Sequence, residues 1–322
     1  FRRRAGLDAI VSDGEHIGLP LAALLKAAGS DVGHVTIGHR ISAAKKRPFF
    51  TLLRVDSNIS RIALHSRRQH ELAVGRLGID PRRLALLPYQ VDTRYWRRAE
   101  DVRDERLVVS AGLERRDYAT LFEAVRGLDA AVVVGAASHW SRERAGRDAA
   151  PPPNVTVGRF DYPSLRSLYA RAAIVAVPLR DVDFQAGVTT ILEAMAMGKP
   201  VVVTHTAGQF DIVVDRRRVT RGPLSRPRPV GLVELLARRD GVAIEPSGYY
   251  VAPGDPTGLR AALDHLLEHP EERRRLGAAG REIAERFFDV ERFGERMRRI
   301  VEDVVRERAG AESAAHGSAK PA

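Results

Sequence analysis

The sequence predicts an α/β protein built on parallel sheets. Short apolar runs alternate with helical stretches along most of the 322 residues, the order that winds a parallel sheet. Residues 174–177 are apolar throughout, as a strand buried on both faces is. Residues 173–204, AIVAVPLRDVDFQAGVTTILEAMAMGKPVVVT, spell a complete strand, polar loop, helix and strand. In that unit Pro178 ends the first strand. Ile191, Leu192, Met195 and Ala196 recur at helical spacing, and Gly198 with Pro200 stops the helix.

Taken in order, residues 8–12 read as a strand, 18–28 as a helix and 32–38 as a strand ending at His39. A helix is expected around residues 49–58, a strand over 61–65, a helix over 67–77 with Ser66 as its N-cap, and a strand over 84–87. Residues 97–105 are charged and poor in apolar side chains, and read as a linker.

The second half repeats the alternation. Strands are expected at 107–111, 130–134, 155–158, 174–177 and 201–203, with a closing strand from Tyr249. Helices are expected at 120–125, 163–173, 188–197, 232–237, 259–267, 271–286 and 288–305. The small, polar residues 309–322 read as a disordered tail.

The length suits two domains of ordinary size, and 44% hydrophobic residues suffice for real cores. There are no cysteines, which excludes disulfides and thiolate metal sites. The formal charge of +11 favours phosphorylated, nucleic-acid or anionic-lipid partners. Basic residues are dispersed, however, and no aromatic–basic surface repeats, so nucleic acid is not expected as a partner. No run reaches the ~18 apolar residues of a membrane span.

The loop over 179–187 falls at the carboxyl end of a strand, where open α/β sheets bind ligands. Gly187 permits close backbone approach, and Val188 and Thr189 open a helix whose free amides seat anions. Glu193, one turn in, stands where a carboxylate can take two ribose hydroxyls. Thr190-Ile-Leu-Glu193 is equally a capping box, and spacing alone leaves both readings open. Asp181-Val-Asp183 is a two-residue coincidence with a metal-binding motif of another fold, and no metal is assigned. Gly198-Lys199-Pro200 lacks the flanking residues of a Walker lysine.

Glu193-Ala-Met-Ala-Met-Gly-Lys-Pro-Val-Val resembles the donor-site signature of glycosyltransferase family 4, the glycosyl transferases group 1. The resemblance implies a GT-B fold: two Rossmann-like, doubly wound parallel-sheet domains facing across a cleft, with a C-terminal helix crossing back to the first. On that pattern residues 1–97 form an N-terminal acceptor-side domain, incomplete at its start. Residues 98–287 form a nucleotide-sugar domain with an insertion at 216–247, and 288–308 the crossover helix.

The resemblance also implies a retaining hexosyltransferase that uses a nucleotide-diphosphate sugar as substrate, with no cofactor or metal. The acceptor is a glycan, lipid or small molecule. Arg115 and Arg116 follow the strand 107–111 where the family binds the donor diphosphate, although Leu113 replaces an Arg and Arg116 a Lys. Phe160 falls on the loop that touches the base. Gln185 stands where the family has a first Glu contacting donor sugar hydroxyls, so the charge is lost there. His39 reads from sequence as a loop histidine; the resemblance makes it a cleft residue near the transferred sugar, the one catalytic candidate. Leu87-Pro-Tyr-Gln-Val-Asp92 resembles the family's Pro-Asn-Gly-Val-Asp turn with its Asn-Gly replaced by Tyr89-Gln90. A cytoplasmic protein is expected, with peripheral contact to anionic membrane through the basic, aromatic residues 40–50. The alternative function is a sugar-nucleotide-binding protein of the same fold with little transferase activity.

Overall fold

The computed structural model describes residues 1–2, 4, 6–97, 102–136, 150–215, 217 and 230–317. The chain divides into two units, residues 1–88 with 291–322, and residues 89–290.

The first unit holds strands β1 (Ala9–Ser12), β2 (Gly33–Gly38), β3 (Arg61–Leu64) and β4 (Leu84–Leu86), all parallel and in sequence order. Helices α1 (Glu15–Ala27) and α3 (Arg67–Leu77) connect them. Ser66 caps α3 by accepting from Gln69 N at 3.2 Å, and Gly78 ends it in the left-handed region at φ 67°. Successive strand residues face opposite sides. Ile62 and Leu64 join Leu19, Ala22, Phe50 and Ala73 on one face. Ile37, Ala63 and Leu87 on the other are covered by Phe293, Met297 and Ile300 of helix α10 (Val290–Gly317). Burying each leucine or isoleucine among them stabilises the fold by about 1.5–3 kcal/mol.

Two expectations for this unit are corrected. The helix expected over 49–58 is broken into α2 (Arg47–Thr51) and a 3₁₀ turn, Val55–Asn58. Lys26 Nζ takes the carbonyls of Leu53 and Arg54 at 2.9 and 3.0 Å, and Arg54 turns left-handed at φ 47°, so the α-helical ladder cannot pass. The tail expected to be disordered from 309 instead continues α10 to Gly317, its Ala-Gly-Ala-Glu-Ser-Ala-Ala run containing good helix formers. Residues 318–322 lie outside the described residues.

The second unit carries strands β5 (Leu107–Ala111), β6 (Ala131–Gly135), β7 (Val155–Gly158), β8 (Ile174–Val177), β9 (Val201–Thr204) and β10 (Gly248–Val251). They form one parallel sheet in the order β10-β9-β8-β5-β6-β7. Helices α4 (Tyr118–Val125), α5 (Tyr162–Arg171), α6 (Val188–Ala196), α7 (Leu232–Arg239), α8 (Pro256–Glu268) and α9 (Pro270–Ile283) cover its two faces. The winding reverses between β5 and β8, so a crevice opens beyond their carboxyl ends. The division falls at 88/89, earlier than the expected 97/98. Val91 N donates to Phe288 O at 2.8 Å, and Trp96 packs on Tyr169 at 5.7 Å between ring centroids, which ties residues 89–97 to the second unit. Of the expected insertion, 216 and 218–229 lie outside the described residues, and α7 occupies its far end. Among the described residues no helix is long and apolar enough to cross a membrane.

Candidate functional site: an anion seat at the sheet reversal

The two loops leaving β5 and β8 are joined. Arg180 N donates to Arg115 O at 2.9 Å, Asp117 N to Pro178 O at 3.1 Å, and Arg116 bridges Leu179. This join forces Arg115 to φ 55° and turns Arg116 inward while leaving Arg115 half-buried. Among the described residues the Arg115 side chain has no hydrogen-bond or ion-pair partner.

Arg116 is only 6% exposed. Its guanidinium threads between Gly112 and Gly187, at φ 91° and 79°; a Cβ on either would come within 2.6 or 3.3 Å of its terminal nitrogens. Nε donates to Ala111 O at 2.8 Å, Nη1 to Glu114 O at 3.0 Å and Nη2 to Thr190 Oγ1 at 3.0 Å. Three of five N–H groups are thus used, and among the described residues the other two make no hydrogen bond. Burial pulls its pKa below the ordinary value, against the opposing pull of Tyr118, Tyr169, Glu114 and Glu193.

Gly187 is the N-cap of α6 and offers no side-chain cap. Val188 is buried and Thr189 exposed at the helix mouth. The capping-box reading is therefore excluded: Thr190 lies inside the first turn and its hydroxyl is held by Arg116 rather than by backbone amide. A buried cation and the positive end of a helix converge here, an arrangement that favours an anion.

Glu193 is 6% exposed on the same helix. Burial pushes its carboxyl up to about 8, with the Arg116 charge pulling the other way. Tyr169 assists that pull, though its buried hydroxyl makes no hydrogen bond of ordinary geometry. Glu193 and Thr189 line a cavity of about 440 Å³ together with Gln90, Val91, Asp92, Tyr95, Trp96 and Tyr162. Asp92 Oδ1 accepts from Arg94 N and Tyr95 N at 2.9 Å, fixing the turn that presents the aromatic pair.

Phe160 is half-buried over the strand ends: Cβ atoms on Gly135 and Gly158 would lie 3.5 and 3.1 Å from its ring. It packs on the core, and the aromatic residue lining the cavity is Tyr162, two positions on at the start of α5. Gln185 Oε1 is buried without a hydrogen-bond partner in the β8–α6 loop. That loop is braced by residues 204–209. Leu179 N donates to Thr204 Oγ1 at 3.0 Å, Gly208 N to Val182 O at 2.8 Å and Gln209 Nε2 to Ala186 O at 3.0 Å. Asp181 takes Ala207 N at 2.9 Å, and Lys199 is buried against Asp104 at 2.7 Å, so both have structural partners.

His39 belongs to the first unit, at the carboxyl edge of its sheet. It is half-exposed, 3.1 Å from Asp13, with its ring 5.1 Å from that of His65. Burial lowers His65 to about 4. The structure thus gathers Arg116, Gly187, Val188, Thr189 and Glu193 in one unit and puts His39 in the other. Sequence reasoning missed Gln90, Tyr95, Trp96 and Tyr162; the exchange of Asn-Gly for Tyr89-Gln90 was the visible signal, and it points by itself only to an altered turn.

A parallel sheet with a reversal in its strand order defines a doubly wound α/β fold of Rossmann-like type. Residues 106–269, half of the chain, match the family Glycosyl transferases group 1. The chain belongs to that family and is a glycosyltransferase of GT-B type. Among solved structures, sucrose-phosphate synthase from Thermosynechococcus elongatus aligns with a TM-score of 0.68 at 17% identity, over 93% of this chain and 74% of that one. Anabaena HepE in complex with UDP-glucose aligns with a TM-score of 0.62 at 14% identity, over 95% and 79%. OtsA aligns with a TM-score of 0.63 at 13% identity, over 92% and 73%. No curated protein sequence matches the chain.

Proposed function

We propose that the chain moves a hexose from a nucleotide-diphosphate sugar to an acceptor hydroxyl with retention of anomeric configuration. The observation that carries this is Arg116, buried between two glycines at the open end of α6 with donors to spare. The diphosphate rests on Arg116, Arg115 and the amides of Gly187, Val188 and Thr189. Glu193 takes the ribose and Gln185 the donor sugar, and the base lies on the side of Phe160 and the cavity aromatic Tyr162. As the bond from the anomeric carbon to the diphosphate oxygen breaks, this fixed positive charge stabilises the leaving group. The acceptor oxygen bonds to the same face of the anomeric carbon, and its proton passes to the departing diphosphate. The guanidinium and helix end supply the charge that a metal supplies elsewhere, so a metal-independent reaction is proposed. His39 contacts the transferred sugar.

Calorimetry with UDP and GDP tests the seat. Arg116→Met is expected to weaken binding by about 10- to 100-fold, the worth of charge-assisted bonds at roughly 1.5–3 kcal/mol each. Unchanged affinity overturns the assignment. Transfer assays with NMR of the product anomer test retention.

Gln185 favours one second reading, a sugar-nucleotide-binding protein with little transfer, because an uncharged amide stands at a sugar-contacting position. Donor turnover by the wild-type chain decides between them. We also propose a cytoplasmic location with peripheral contact to anionic membrane, supported by Leu52 and Leu53, 78% and 51% exposed, beside exposed Lys45, Arg47 and Arg54. Equal flotation with anionic and zwitterionic vesicles at low salt removes that contact.

A further inference from the structure

The cavity beside α6 contains a polar group that neither the anion seat nor the fold uses. Gln90 lines this cavity, and its side-chain Oε1 is buried with no hydrogen-bond partner. An amide left so costs the fold about the desolvation of a polar group unless a ligand meets it. The main chain on either side is held in place. Val91 N donates to Phe288 O at 2.8 Å and Val290 N to Val91 O at 3.0 Å, so the amide is presented by a fixed segment.

The other walls say what would meet it. Thr189 and Glu193 stand four residues apart on α6, so the cavity runs along the helix away from the anion seat at its N-terminus. Tyr95, Trp96 and Tyr162 form an aromatic side, with Trp96 edge-on to both, at 5.1 and 6.2 Å between centroids. An anion seat at the helix N-terminus, and a carboxyl, an amide and aromatic rings lining the cavity, match a phosphorylated nucleoside. Its sugar carries two adjacent hydroxyls, each able to donate and accept, and an amide meets either role.

We propose that Gln90 is a specificity-determining residue that binds the ribose cis-diol of the nucleotide together with Glu193. The proposal rests on the donor-site reading above, and goes beyond it by assigning a residue outside the β8–α6 signature. It makes the site selective for ribonucleotides and leaves the aromatic side to the base.

The test is calorimetry of UDP and GDP, with the 2′-deoxy and 3′-deoxy form of each, on the wild-type chain and on Gln90→Leu. The wild type is expected to prefer the ribonucleotide. Gln90→Leu is expected to weaken the ribonucleotide about 3- to 10-fold, the worth of one hydrogen bond, and to leave at least one deoxy form unchanged. Where Gln90→Leu fails to fold, judged by its thermal midpoint, Gln90→Asn, which withdraws the amide by one methylene, replaces it with the same expectation. Equal weakening of all forms, or none, overturns the role of Gln90 while leaving the donor site standing. Absence of binding by any nucleotide to the wild type overturns both.

Discussion

Glu193→Gln is the substitution whose consequences the structure specifies most fully. In the folded, ligand-free chain the Glu193 carboxyl is raised from 4.5 to about 8 by burial, against the pull of Arg116. A raised carboxylic pKa means the folded state holds a proton that the unfolded state releases. Between pH 4.5 and 8 the unfolded chain therefore binds fewer protons, and stability falls as pH rises. At about 1.4 kcal/mol per unit the loss amounts to roughly 3–5 kcal/mol across that window, and it levels off above about pH 8. The amide of the variant cannot titrate, so the variant lacks this slope. Two buried histidines of the first unit, His34 and His65, are both lowered to about 4 by burial. They act with the opposite sign, adding stability as pH rises from about 4 to 6.5, and they do so equally in both proteins. Urea unfolding between about pH 5 and 8.5, inside the window those shifts define, is followed by tryptophan fluorescence, since Trp96 is buried in the same unit as Glu193. The difference between variant and wild type is expected to grow steadily in favour of the variant as pH rises. Parallel pH profiles refute a neutral Glu193, and with it the claim that its side chain is buried.

Gly187→Ala is expected to weaken UDP or GDP binding by more than about tenfold, because a left-handed φ costs an L-residue about 1–2 kcal/mol and the new methyl meets Val177 at 2.8 Å and Arg116 at 3.3 Å. Gly127→Ala, at φ 65° with nothing within 4 Å, is the control: similar backbone strain and unchanged binding by calorimetry. Lys199 is 1% exposed and Asp104 23% by side chain, so the two halves of their ion pair are not equivalent. Asp104→Asn leaves a buried ammonium without its carboxylate and is expected to cost about 3 kcal/mol in urea unfolding; Lys199→Met leaves a carboxylate that water reaches and costs less.

The class of fold was legible because strands buried on both faces are apolar, and β8 reads so throughout, and β5 but for Ser110, without any knowledge of their neighbours. Helix α3 was legible to the residue because Ser66 and Gly78 mark its ends with local chemistry. The helix expected over 49–58 failed for the converse reason. Lys26, far off in sequence, takes the carbonyls that would have continued it, and no local pattern reports such a competitor. The same limit governs the site. Gly187, Thr189 and Glu193 lie on one short helix and could be read together. Gln90 and Tyr95 reach the cavity on a segment that Phe288 and Val290 clamp at Val91, from the far end of the second unit, and Tyr162 reaches it from the start of α5.

Arg116 shows how the two kinds of information combine. From its position after β5, the family resemblance suggested that it binds a phosphate, and an exposed arginine on a turn would have served. The structure instead buries it, with three donors spent on Ala111, Glu114 and Thr190. Desolvating a guanidinium costs several kcal/mol unless an anion offsets it, and the carboxyl nearest on α6 is itself largely neutral below about pH 8. Stability alone does not select such an arrangement, since an apolar side chain of similar volume between Gly112 and Gly187 would be as stable or more so. On the proposed function, a bound diphosphate is the partner that turns the cost into affinity. Arg116→Met is accordingly expected to leave the unliganded chain at least as stable as wild type in urea while weakening nucleotide binding. Loss of both together would assign Arg116 to the core of the fold rather than to its ligand.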